Sequence, residues 1–215
     1  FLFTHYNSTK KNIDTYYEVV KKKINHPLNI IRYLISCELI NYYPSNYEIM
    51  KSNLYKLIER NKNGLFFKYN FNFNLHMLGD IMQSPWVSCM AQSEGLIYFI
   101  LLYIKTKDNE YLKIINNIIK SYLYIKDESI KNESYDDMWF VIKDKNGNIW
   151  LEEYPLYNNN NFIHALNGYV FGLQGLFAYS YLFPENKKIN YLLEELLNTL
   201  KKNLIQFIPN EGPTY

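Results

Sequence analysis

LIYFILLYI, residues Leu96 to Ile104, is nine apolar residues without a break. That is far short of the ~20 needed to span a bilayer, so the run reads as a helix enclosed by protein on every side. The helix is expected from about Val87 to Lys105. The next, about Asn109 to Ile125, carries a single apolar stripe of Leu112, Ile115, Ile118, Ile119 and Tyr122. The contrast repeats along the chain. Helices at about 27–41 and 162–181 are also apolar all round. Those at about 45–64 and 187–207 are striped, the first by Tyr47, Met50, Leu54, Leu57 and Ile58, the second by Ile189, Leu192, Leu193, Leu196, Leu197 and Leu200. A further amphipathic helix is expected at about 12–24. A helix apolar on all faces must be enclosed, and a striped one covers a core and meets water. Their alternation predicts an all-α chain, an (α/α) barrel or partial toroid, with inner and outer helices taking turns over one domain, 1–215.

Local signals mark the helix ends. Pro27 sits at a first turn, and Ser45-x-x-Glu48 has the form of a capping box. Gly168, Gly172 and Gly175 let the enclosed helix they occupy approach its neighbours closely. The long connections, about 63–86 and 126–161, all run from an outer to an inner helix, so they share one end. At that end the inner helices begin, with free N–H groups and the positive dipole end outward, which suits an anion. Two of the long loops read as β-hairpins at the mouth: GLFFKYNFNFN, from Gly64, and MWFVIKDKNGNIWLEEYP around the Asn146-Gly147 turn. The second is expected to carry Glu152, Glu153 and Tyr154 at its tip over the barrel mouth.

Composition narrows the classes. Of 215 residues, 48% are hydrophobic and 20% charged, as in an ordinary globular protein. There are 22 tyrosines, while Arg32 and Arg60 are the only arginines. This is the bias of an AT-rich coding sequence, so tyrosine position is informative and tyrosine number is not. A net charge of +2 is too small to argue for nucleic acid. Cys37 and Cys89 lie in apolar helical patterns and read as buried thiols. The four histidines have no metal-ligand spacing. The chain opens FLFTHYN, without methionine, and reads as part of a longer protein.

Candidate site residues cluster at the long-loop end. A carboxylate beside a tyrosine, as in Glu153-Tyr154, can transfer protons if the tyrosine pKa falls from ~10 or the carboxylate acts as base through it. By strand alternation Glu152 and Tyr154 share one face. Ser88 and Gln92, one turn apart, are polar on a helix built for burial, so they either satisfy backbone or face a ligand. His164 and Asn167 lie in the first turns of an enclosed helix.

These segments resemble the C-terminal helical domain of the glucuronyl C5-epimerases, which convert glucuronate to iduronate in heparan-type polysaccharides. The family's Trp-x-Ser-x-Met-Ala-Gln-Gly is here Trp86, Ser88, Met90, Ala91 and Gln92, with Ser93 in place of the glycine. Glu-Glu-Tyr-Pro is intact at Glu152 to Pro155. Leu-Asn-Gly is Leu166 to Gly168, Gly-Leu is Gly175-Leu176 without the usual following aspartate, and Gly-x-x-Tyr is Gly212 to Tyr215. The resemblance implies proton abstraction at C5 of a uronate and reprotonation on the other face. Tyr154 and Tyr215 are then the catalytic tyrosines, with Glu153 as alternative base. Trp86, Ser88, Gln92, Glu152, His164 and Asn167 are implied to bind substrate. It implies an anionic uronate-containing polysaccharide as partner, no metal or organic cofactor, and leaves a homodimer open. The family's β-rich domain would precede this chain, and a Trp-Asp-Tyr-His segment would follow it. A uronate lyase and a non-catalytic glycan-binding domain are the rival readings.

Overall fold

The computed structural model describes residues 9–75, 80–129, 138–156 and 162–207. Seven α-helices lie within them: α1 Lys10–Val20, α2 Pro27–Ile40, α3 Tyr47–Lys56, α4 Cys89–Thr106, α5 Asn109–Leu123, α6 Leu166–Leu182 and α7 Lys187–Asn203. The enclosed and striped helices sort as expected. The helices α2, α4 and α6 pack in series as an inner layer, and α3, α5 and α7 each back onto the inner helix before them. This is an arc of an α/α barrel. Within α4 every residue from Cys89 to Ile100 is buried, whereas α5 buries Ile114, Ile115, Ile118, Ile119, Ser121 and Tyr122 and exposes the rest or leaves it half-buried. No helix among the described residues is long and apolar enough to cross a membrane. Cys37 and Cys89 are free and buried.

The closest join is between α4 and α6. The Ser93 hydroxyl on α4 donates to the Phe171 carbonyl (2.6 Å) and accepts from the Gly175 amide (2.7 Å). Those two groups would pair with each other in a regular helix. A Cβ at Gly175 would stand 2.7 Å from the Ser93 carbonyl oxygen and 2.9 Å from its Cα. Ser93, the departure from the family's glycine, thus binds the two inner helices together.

Four expectations change. The third helix stops at Lys56, and residues 58–61 turn into a strand. Strand β1 (Ile58–Asn61) pairs antiparallel with β2 (Gly64–Phe67) across Lys62-Asn63. The Asn63-Gly64 step makes this possible, because Gly64 has φ +136 and backs directly onto α5. The first hairpin therefore reaches backward to β1; the downstream residues pair separately as β3 (Phe73–Asn74) with β4 (Ile81–Met82). The Ser45 capping box does not form. Asn46 is the cap residue and makes no side-chain cap bond, its carboxamide oxygen instead accepting from the Tyr33 hydroxyl (2.5 Å).

In the second long loop, β5 (Ile125–Asp127) pairs parallel to β6 (Val141–Lys143), which pairs antiparallel to β7 (Ile149–Leu151). The Asn146-Gly147 turn is at the far end of this hairpin. Glu152, Glu153 and Tyr154 follow the end of β7, so they sit at the hairpin's base and not at its tip.

The α4–α6 join gives a direct test. Gly175→Ala should lower the unfolding free energy in urea titrations, since overpacking costs about 1–3 kcal/mol. That should outweigh the ~1 kcal/mol gain in helix propensity; an unchanged or raised midpoint would refute close approach here.

Candidate active site

A cleft of about 500 Å³ opens where α2 and α4 begin. The ends of both helices face it: His26, the N-cap of α2, and Ser88, the N-cap of α4, are lining residues. The Ser88 hydroxyl accepts from the Met90 amide (3.2 Å). The cleft is therefore at the predicted end of the barrel arc.

Backbone pairing places its aromatic wall. Tyr69 and Trp86 form an antiparallel bridge, with N–H···O distances of 2.8 and 3.3 Å. The bridge sets their rings face to face, centroids 3.9 Å apart. The Trp86 indole N–H donates to the Phe71 carbonyl (2.8 Å). Beyond it, Tyr154 stacks on Phe73 at 5.9 Å and lies 6.5 Å from Trp86. At the other side His26 meets Tyr69 edge-on at 5.0 Å and stacks near Phe71 at 6.0 Å. Such walls stack well on the flat apolar faces of sugar rings, while lysines 22 and 23 bring positive charge to the rim.

The Glu-Glu-Tyr segment is fixed by three contacts that give its residues different fates. The Glu152 amide donates to the Phe140 carbonyl (2.7 Å), and the Glu152 carbonyl accepts from the Cys89 amide (3.0 Å) in the first turn of α4. The Glu152 carboxylate, fully buried, holds His164 through Nδ1 (2.5 Å) and the His164 amide (3.3 Å). Glu153 and Tyr154 both line the cleft. The expected sharing of a face by Glu152 and Tyr154 fails because the strand ends at Leu151, and alternation ends with it.

Glu153 is buried, and one of its oxygens, Oε2, has no hydrogen-bond partner. It packs on Gly168 of α6, where any side chain would collide with it. Burial pushes its pKa up, against the opposing pull of a hydrogen bond from Tyr154 and the charge of Arg32. Tyr154 is in turn raised well above the ordinary phenol value, by burial first and then by the neighbouring Glu153 charge. The pair is thus a phenol held in its protonated form beside a carboxyl group with spare acceptor capacity.

The other sequence-derived residues divide. Trp86 and Ser88 join Glu153 and Tyr154 in the cleft. Gln92 does not line it: it is fully buried, its amide oxygen accepting from the Phe67 amide (2.7 Å) and its nitrogen donating to the Leu65 carbonyl (2.9 Å) and Ser121 (3.0 Å). It ties β2 to α4. Glu152 and His164 orient each other, and His164 stacks on Trp150 at 4.0 Å. Asn167 is exposed on α6 and does not line the cleft. Tyr215 lies outside the described residues. Sequence reasoning missed His26, Tyr69, Phe71 and Phe73; the available signal for His26 was its place just before Pro27, at the start of an inner helix. Among the described residues, no group of three or more His, Cys, Asp or Glu is placed to hold a metal ion.

The double layer of helices, with a cleft over the inner-helix N-termini, defines an α/α-barrel domain. The chain belongs to the family described as D-glucuronyl C5-epimerase C-terminus, which matches residues 60–215. No curated protein sequence matches the chain. Among solved structures, unsaturated glucuronyl hydrolase from Streptococcus agalactiae is similar, with 13% identity and a TM-score of 0.48, over 95% of this chain and 53% of that one. The chain thus spans about half the length of that structure.

Burial of the Glu153 carboxyl in the cleft disfavours its charged form. Its folded pKa is raised, so protonation stabilises the folded state at low pH and that benefit is lost as pH rises through the folded value. Glu153→Gln should therefore raise the thermal midpoint at pH 7, and the gain should shrink toward pH 4. A lower midpoint at pH 7 would mean that the carboxylate is well compensated.

Proposed function

We propose that this domain carries out proton transfer at C5 of glucuronate units in a polysaccharide, inverting them to iduronate. The observation that carries the reading is the Glu153-Tyr154 pair: a buried carboxylate with an unpartnered oxygen, beside a phenol, in an aromatic cleft with lysines at its rim. Membership of the epimerase C-terminal family supports it.

The C5 hydrogen of a uronate is α to a carboxylate. Removing it leaves an enolate-like carbanion with added charge on the carboxylate oxygens. Tyr154 is protonated at rest. As it takes the C5 proton on its oxygen, its own hydroxyl proton passes to Glu153, whose raised pKa suits it to receive one. The reverse transfer lets the same pair reprotonate. Inversion needs a second group on the opposite face, which the resemblance assigns to Tyr215: it gives its hydroxyl proton to C5, and the cycle closes when Glu153 releases its proton to solvent and Tyr215 regains one from it. The N-terminal ends of α2 and α4 supply positive potential where charge develops. The flat wall of Tyr69, Trp86 and Phe73 would hold the sugar. In this reading Glu152 and His164 are positioning residues, since they hold the segment and lie behind it.

The test is exchange of the C5 hydrogen with solvent deuterium, using the complete protein and a glucuronate polymer. Tyr154→Phe removes one hydroxyl and keeps the ring. It should slow exchange by about 10²- to 10⁴-fold while polymer binding persists. Exchange at the wild-type rate would remove Tyr154 from the mechanism. Binding without exchange in the wild type would establish a non-catalytic glycan-binding domain instead, and an unsaturated, ultraviolet-absorbing product would establish a lyase.

A further inference from the structure

Half of the cleft wall comes from a part of the chain that the family match does not cover. Lys22, Lys23 and His26 line the cleft but precede residue 60, where the match begins. They occupy the junction of α1 and α2, a short 3₁₀ turn over 21–23 followed by the α2 cap.

His26 is held in one orientation. Its Nδ1 accepts from the Asn29 amide (3.4 Å) in the first turn of α2, which leaves the ring proton on Nε2. Tyr69 and Phe71 pack its ring. Burial, with Lys23 adding to it, pushes the His26 pKa down to about 4, so the ring is a neutral N–H donor at physiological pH. That donor has no partner among the described residues, and the ring lines the cleft. Lys22 and Lys23 are exposed at the same place and form no ion pair among the described residues. The charged groups that reach His26 are Lys23 and Arg32, both cationic. Glu153, with its one unpartnered oxygen, stands beside Tyr154, which is separated from His26 by the Tyr69–Trp86 stack. The cleft therefore has polar groups at both ends of an aromatic wall, with proton-transfer groups at one end and donors with positive charge at the other.

We propose that the Lys22–His26 end of the cleft is a subsite for an anionic group of the glycan, a carboxylate or a sulfate, with His26 as hydrogen-bond donor and the two lysines as the charge. The proposal rests on the glycan reading of the Tyr154 end. The segment before residue 60 then selects for charge on the polymer, and the family-matching part performs the transfer. The α2 dipole points the same way, since its N-terminus lies under the site.

Calorimetric titration of the complete protein with four tetrasaccharides tests this. They are a glucuronate-containing one, its N-sulfated form, its carboxyl-reduced form, and the carboxyl-reduced N-sulfated form. Wild type should bind the doubly uncharged ligand about 10-fold or more weaker than the preferred charged one. Loss on carboxyl reduction identifies a carboxylate, and gain on sulfation a sulfate. His26→Asn keeps a favourable helix cap and removes the ring donor. It should lower affinity for the preferred ligand by about 10-fold and leave the uncharged one unchanged. Lys22→Gln with Lys23→Gln should flatten the salt dependence of binding. Equal wild-type affinity for all four ligands overturns the subsite, and so does an equal loss with His26→Asn on charged and uncharged ligands. Deuterium exchange separates this from the catalytic reading. Charge-selective binding without exchange leaves the subsite and removes the epimerase; exchange without charge selectivity does the reverse. Failure to bind any of the four removes both.

Discussion

The hydrogen bond from the Cys89 amide to the Glu152 carbonyl, 3.0 Å long, joins the hairpin to the first turn of α4. An enclosed helix cannot leave its first N–H groups to water, so something must meet them. Here the chain just past β7 does so, and Ser88 satisfies the next amide. The same bond settles where Glu153 and Tyr154 can go. With the Glu152 backbone pinned between α4 and Phe140, and its side chain turned back to His164, the following two residues have only the cleft side open to them. A helix-capping requirement and the placement of the proposed proton-transfer pair are met by one contact.

Four glutamates are buried among the described residues, and they differ in how their charge is met. Glu38 accepts from Tyr43 and Tyr47 and pairs with Lys105 at 2.8 Å. Glu94 takes a forked contact from Arg32, at 2.6 to 3.0 Å. Glu152 is held by His164. Each of these has hydrogen-bonding partners, as a buried carboxylate must if it is to contribute to structure. Glu153 alone of the four keeps a buried oxygen without a partner. Folds tolerate such a group where function requires it, because the penalty is one of stability and the gain is in reactivity. The contrast within one core is a stronger argument for Glu153 than its position in a motif.

The architecture was legible because it rests on periodicity. The runs of α4 and α6 and the stripes of α5 and α7 state directly which helices are enclosed. The end of α3 was not legible, since Leu57 and Ile58 continue its stripe, while the Asn63-Gly64 turn one strand's length later draws Ile58 into β1 and leaves Leu57 as the helix cap. Periodicity gives the face of an element and not its stopping point. For the site, Glu153, Tyr154, Trp86 and Ser88 could be read from local pattern and family likeness. Gln92 could not be separated from a ligand group, because a buried amide binding backbone and one binding sugar look alike in sequence. Asn167 was placed by motif, yet it is exposed while its neighbours Gly168 and Tyr169 are buried. His26 and the phenylalanines of the wall were invisible because only tertiary packing brings them to Tyr154, across more than eighty residues of chain.

The two cysteines have a use unrelated to any chemistry of the cleft. Cys37 lies near the end of α2 and Cys89 at the start of α4, and burial pushes both thiols up, so neither is reactive in the closed fold. Cys89 donates to the Gly168 carbonyl of α6, so it cannot meet a reagent until those helices part. Cys37 is freed by a different event, the separation of α2 from its neighbours. The rates at which the two thiols are alkylated therefore form a natural pair of clocks. They time the opening of the two ends of the inner layer separately, with no label introduced and no residue of the cleft disturbed.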